Sequence, residues 1–197
     1  EILVGRPRWR RAPDEMSPRT HMALRVRLDG ADWLIDAGSP YCVTTLPLRL
    51  DRAEPQRTFW EPMRLVPHGA ELRLELLAGD VWRAVCDFVR EPQHEADLDA
   101  PNWYVSTCAS HVFHRTLMVS RTTPGFRLTL VDNELGVRRR SGGPTERRRL
   151  DANAMLEVLA EDFGLAVDPG WRPLFEQIAA AAPPAAAPSG APRADER

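Results

Sequence analysis

Two stretches of this chain alternate so regularly between apolar and polar side chains that a half-buried β-hairpin is the structure that suits them. Glu71-Leu72-Arg73-Leu74-Glu75-Leu76 changes character at every residue, and Ala78-Gly79-Asp80 supplies turn chemistry. Residues 81–89 then return with Val81, Arg83, Val85, Asp87 and Val89 on one predicted face. A second pair of runs, 22–28 and 32–35, flanks Asp29-Gly30, a dipeptide suited to a two-residue hairpin turn. Residues 1–100 therefore read as β, with a connection rich in proline (Pro40, Pro47, Pro55, Pro62, Pro67) between the hairpins.

A polar, proline-bounded stretch over 91–101 reads as a linker or a short helix. Strands are expected near 116–122, 126–131 and 134–140. A helix is expected from Asp151 as N-cap to Phe163, with Leu156, Leu159 and Phe163 as its apolar stripe and Gly164 as its stop. The organisation expected is a β-barrel domain over 1–95, an α/β unit over 96–170 and an Ala/Pro-rich tail over 171–197. That tail reads as disordered, apart from a short helix that 171–182 is able to form.

The first hairpin also carries chemistry. It opens on Thr20-His21 and ends at Asp36, so antiparallel pairing brings imidazole and carboxylate to the same end. A carboxylate bonded to one imidazole nitrogen leaves the other facing a nucleophile, which is two thirds of a Cys-His-Asp or Ser-His-Asp triad. The third member is harder to place. Cys42, six residues past Asp36 in the sequence, reads as a small packing residue, and Cys86 as an inert strand residue. Cys108-x-x-His111-x-x-His114 offers three zinc-competent side chains, but no second Cys/His pair follows to complete a site, so a polar loop is the reading and no metal is expected.

Composition narrows the setting. The chain has 197 residues, 26 basic and 28 acidic, for a net charge of −2. Every basic residue is arginine, which reflects coding bias rather than chemistry. The clusters Arg138-Arg139-Arg140 and Arg147-Arg148-Arg149 flank the turn Ser141-Gly142-Gly143-Pro144. No aromatic side chains interleave with them, so a solvated ribbon is expected and not a nucleic-acid surface. Three cysteines make no disulfide framework, and no apolar run reaches membrane-spanning length, so a cytoplasmic protein without a membrane partner is expected.

The flanks of the His-Asp pair resemble the arylamine N-acetyltransferase family, including the related amide synthases that close macrolactam rings. Thr20-His21 and Asp36-Ala37-Gly38-Ser39 carry the likeness. It continues in the same order through Val66-Pro67-His68-Gly69, 102–107, 117–125 and 156–165, covering about residues 1–170. The resemblance implies an α+β fold, mostly β in this chain: a cysteine-proteinase-like triad on a β-barrel domain, followed by an α/β lid. It implies His21 and Asp36 as catalytic residues, Ser17 and Gly38 near the coenzyme loop, and Thr20 and Ser39 bordering the acceptor pocket. Where the family has a second glycine, this chain has Pro40, which removes an amide hydrogen.

The family's N-terminal helical region, with its Arg-Gly-Gly-x-Cys nucleophile, is absent from these residues, and Glu1-Ile2-Leu3-Val4-Gly5 reads as an internal strand. The chain is thus expected to be truncated, or to take the helical domain from a partner chain. The activity implied is ping-pong transfer of an acetyl group from acetyl-CoA, or an acyl group from a carrier-bound thioester, through a Cys thioester to an arylamine or other small amine. Amide synthesis on a polyketide, and a binding module without activity, remain open beside it.

Overall fold

A computed structural model describes residues 1–38 and 44–181. They divide into two compact units, one over 1–115 and one from 116 onward.

The first unit is one antiparallel sheet of seven strands: β1 (Ile2–Pro7), β2 (His21–Leu28), β3 (Ala31–Ile35), β4 (Leu48–Arg49), β5 (Met63–His68), β6 (Glu71–Ala78) and β7 (Val81–Val89). Their spatial order is β4-β3-β2-β1-β7-β6-β5. Both short hairpins fall where turn chemistry puts them. Asp29 and Gly30, at φ 52° and 75°, occupy the two left-handed positions of a tight turn whose twist matches the strands it joins. The sheet curls until its edges nearly meet, and Gln56 lies across the seam. Its main chain exchanges two hydrogen bonds with Met63 on β5, at 2.7 and 3.0 Å. Its side-chain amide does the same for Arg49 on β4, accepting from the N–H at 2.7 Å and donating to the C=O at 2.9 Å.

Leu72, Leu74 and Leu76 are all buried, as the alternation of β6 requires, and join Leu3, Ala23, Leu34, Leu48, Met63, Leu65 and Phe88 in the barrel core. The expected face of β7 needs correction. Leu74 pairs with Cys86 but Glu75 pairs with Ala84, so Val85 is an extra residue without a cross-strand partner. This β-bulge reverses the alternation midway. Arg83 shares the core-side face with Cys86 and Phe88, whereas Asp87 and Val89 point the other way, because Leu76, Leu74 and Leu72 are their respective neighbours on that face. The carbonyl of Val85, freed from the ladder, accepts the N–H of Arg8 at 2.8 Å.

The proline-bounded stretch becomes the start of a helix, α1 (Ala96–Thr107), which runs through Pro101 and buries none of its residues. The second unit has a four-stranded antiparallel sheet of β8 (Met118–Thr122), β9 (Phe126–Val131), β10 (Glu134–Arg139) and β11 (Glu146–Arg149) in the order β11-β10-β9-β8. Helix α2 (Ala152–Glu161) packs Met155, Val158 and Leu159 against Leu128, Leu130 and Leu135, with Phe163 and Phe175 of α3 (Arg172–Ala180) in the same core. Asp151 caps α2 by accepting the Ala154 N–H at 2.9 Å, and Gly164 ends the turn beyond it at φ 72°. The stripe is Met155, Val158, Leu159 and Phe163; Leu156 lies at its margin. Strands β10 and β11 pair, but Arg147, Arg148 and Arg149 lie opposite Gly136, Leu135 and Glu134 and not opposite the other arginine run, and Glu134 and Glu146 neutralise Arg147 and Arg139 within the ribbon. No helix among the described residues is long and apolar enough to cross a membrane.

Candidate active site

The hairpin of β2 and β3 sets the site. His21 is the first residue of β2, and Asp36 follows the last pair of the ladder, Leu24 with Ile35, on β3. Continuing that antiparallel path brings the two side chains together, with Nε2 of His21 2.7 Å from Oδ2 of Asp36. The Asp36 side chain has no solvent exposure, whereas 17% of the His21 side chain is exposed. The other carboxylate oxygen, Oδ1, accepts the Gly38 N–H at 3.0 Å. An ionised carboxylate only accepts, so it fixes the neutral imidazole with its proton on Nε2 and leaves a lone pair on Nδ1.

The surroundings of the ring are shaped by missing side chains. Gly5 on β1 lies opposite His21 on one side and Phe88 on the other. A Cβ there would collide with Sγ of Cys86 and come within 2.9 Å of the Phe88 ring. Phe88 is fully buried, its centroid 5.9 Å from that of His21. On the open side, a Cβ at Gly38 would come within 3.3 Å of Cε1 of His21 and 4.0 Å of Nδ1. A side chain at this position would press on the Cε1 edge of the ring.

Of the two cysteines among the described residues, Cys86 is 1% exposed. Burial pushes its thiol well above the ordinary value, and the carboxylates of Asp36, Asp87 and Glu71 add to the rise, so it stays protonated. Cys108 follows α1, and its thiol is lowered, first by a hydrogen bond with Ser110, whose hydroxyl is 3.2 Å away. His111 turns its Nδ1 to the N–H of Phe113, and no cluster of His, Cys, Asp or Glu among the described residues is arranged to hold a metal.

The other residues singled out in the sequence lie as follows. Ser17 is buried, its hydroxyl donating to the Pro7 carbonyl at 2.8 Å and its own carbonyl accepting from Arg6 at 2.6 Å. Thr20 is half-buried beside His21 and donates its N–H to Pro18 at 3.0 Å. Gly38 is in the site. Ser39, Pro40, Cys42 and the tail beyond residue 181 lie outside the described residues.

Sequence reasoning missed two supports. Thr44, buried, exchanges hydrogen bonds with the main chain of Asp36. Arg8, also buried, bonds the carbonyls of Ala12, Pro13 and Glu15, and so fixes the loop that leads into His21. It also lies 3.5 Å from Asp87, which takes a bidentate pair from Arg73 at 2.6 and 2.9 Å. A regular hairpin register would have put Arg73 opposite Cys86, and only the bulge at Val85 brings Asp87 there; nothing in the sequence pointed to Arg8. A cavity of about 370 Å³ opens towards the far end of β2, near Gly30, with Leu3, Leu72 and Phe88 among its lining residues.

A curled antiparallel barrel that carries a carboxylate-bound imidazole at the open end of a hairpin defines an α+β protein with a hydrogen-bonded His–Asp pair set in its wall. Comparison with known proteins narrows the class. The chain belongs to the arylamine N-acetyltransferase family: residues 1–172 match the N-acetyltransferase family. An arylamine N-acetyltransferase of Mycolicibacterium smegmatis is 36% identical over 169 residues, covering 84% of this chain and 61% of the relative. The Escherichia coli arylamine N-acetyltransferase is 30% identical over 158 residues, or 79% of this chain and 56% of that protein. Among solved structures, the M. smegmatis enzyme superposes with a TM-score of 0.81 at 34% identity, over 91% of this chain and 66% of that one. The Mycobacterium marinum enzyme in complex with CoA gives 0.79 at 31%, over 90% and 67%. The chain thus spans about three fifths of the length of the curated relatives it matches.

Proposed function

We propose that this chain is the strand-rich part of an acyltransferase that moves an acetyl group from acetyl-CoA to an arylamine through a cysteine thioester. The observation that carries the reading is the 2.7 Å bond from His21 Nε2 to a buried Asp36, which leaves Nδ1 without a hydrogen bond among the described residues on a side chain that is partly exposed. Membership in the family and the CoA complex of the M. marinum relative support the choice of donor.

Nδ1 takes the proton of a cysteine thiol, and the thiolate attacks the thioester carbonyl of the donor. The bond to coenzyme sulfur breaks, and that sulfur leaves with the proton held on His21. The amine nitrogen then attacks the acyl-enzyme and gives its proton to Nδ1. The enzyme C–S bond breaks, the amide leaves, and the cysteine is regenerated. Asp36 keeps the imidazole oriented throughout and stabilises the imidazolium formed twice per cycle. Cys86 stays protonated, Cys108 belongs to the end of α1 and Cys42 lies outside the described residues; in this reading the thiol is that of the Arg-Gly-Gly-x-Cys segment which the family carries N-terminal to these strands. Cysteine chemistry of this kind suits a reducing cytoplasm.

The test uses a longer protein in which these residues follow an N-terminal segment carrying the family's Arg-Gly-Gly-x-Cys motif. Incubated with acetyl-CoA, it gains the mass of one acetyl group on a cysteine, and an arylamine then removes it with release of N-acetylarylamine. The His21→Ala form does neither at a comparable rate. CoA binding without acetylation would favour a binding module. Cyclisation of a carrier-bound thioester, with no acetyl transfer to arylamines, would favour an amide synthase.

A further inference from the structure

We infer that Thr44 is a positioning residue for the His21–Asp36 pair. Asp36 stands one step past the end of β3, so the ladder with β2 no longer serves its N–H and C=O. Both groups lie in the barrel wall with a carboxylate that has no solvent exposure, and unpaired polar groups are costly there. One hydroxyl meets both needs. Oγ1 of Thr44 donates to the Asp36 carbonyl at 2.7 Å and accepts the Asp36 N–H at 3.2 Å.

The chain therefore leaves Asp36 and comes back to it eight residues later, and a single side chain does the work of a missing neighbour strand. With the Asp36 backbone fixed on this side, and Oδ1 fixed by the Gly38 N–H on the other, only one direction remains for Oδ2, towards His21. Loss of the hydroxyl frees the Asp36 main chain to turn, and the imidazole loses the acceptor that selects its tautomer. Valine has the same shape without the hydroxyl; serine keeps the hydroxyl without the methyl.

The experiment reads His21 directly in this chain with ¹⁵N-labelled histidine, and assigns its signals with His21→Gln. The expected spectrum of the unsubstituted protein shows His21 as the Nε2–H tautomer with slow exchange of that proton. Thr44→Ser retains it. Thr44→Val, with folding verified by its thermal transition, shows mixed tautomers and exchange faster by about tenfold, the scale of one lost hydrogen bond. A folded Thr44→Val protein with an unchanged His21 spectrum overturns the inference. If Thr44→Val does not fold, Thr44→Ser decides alone: an unchanged His21 signal sustains the inference and a displaced one overturns it. Because the spectrum is recorded without donor or acceptor, a failure of acetyl transfer leaves this result untouched.

Discussion

Gly5 lacks a side chain because Cys86, Phe88 and the Asp87 carbonyl use the space around it. A methyl group there would have to displace the Phe88 ring, 2.9 Å away, and the Cys86 sulfur, in a wall where neither has room to move. Gly5→Ala is expected to cost about 1–3 kcal/mol in a urea unfolding curve, the usual scale for overpacking. At the pair itself, Asp36→Asn in the active longer protein should lower kcat/KM for acetyl transfer by about 10²–10⁴, since an amide offers the imidazole a donor as readily as an acceptor. The free thiols differ in reactivity. Hydrogen bonds to Cys108 favour its thiolate, so its alkylation should rise at lower pH than for an ordinary cysteine, whereas Cys86, held protonated by burial, should resist labelling until the barrel unfolds. Peptide mapping after brief iodoacetamide treatment across a pH series distinguishes the sites, and Ser110→Ala should move the Cys108 profile up. His21 and Asp36 were legible as a pair because hairpin geometry converts sequence spacing into proximity. Thr44 was not, because a hydroxyl beyond a loop carries no periodicity.

The elements show the same division. Alternation marked β6 residue by residue, and it failed on β7 at Val85, where one unpaired residue turned the remainder of the strand over. No pattern in 81–89 announces that bulge, since polar and apolar residues suit either phase there. Its consequence is to place Asp87 between Arg8 and Arg73. Asp87→Ala would remove the carboxylate that Arg8 and Arg73 share, leaving Arg73 only the more distant Glu75 and Glu71, and is expected to destabilise the first unit by about 3–5 kcal/mol in thermal or chemical unfolding. Replacement of both Asp87 and Arg73 by apolar residues should cost less than the single change if charge, and not volume, is the cause. The capped helix α2 was readable from Asp151 to Gly164, because caps and stripe are local signals. The extent of α1 was not, because Pro101 argued against a helix that nevertheless continues to Thr107.

For the whole molecule, the α+β class was what the family resemblance implied, with strand alternation and the helix from Asp151 in accord, whereas barrel closure depends on contacts between distant residues. The outer face of β1 to β3 leaves Met22 49%, Leu24 41% and Ile35 37% exposed, with Leu24 and Ile35 paired and Ile2 beside them. The 197-residue chain is therefore expected to self-associate at micromolar concentration in sedimentation velocity, and Leu24→Glu to shift it to monomer; a monodisperse unsubstituted monomer would refute this. The seam offers a different lesson. Gln56 lies on the same stretch of chain that crosses from Arg49 to Met63, so the edges it joins are tethered on either side of it. Such a clasp works at the high effective concentration of a short tether, and when it parts it closes again faster than another molecule's strand can enter. The barrel can thus breathe at one point while withholding its edges from other chains.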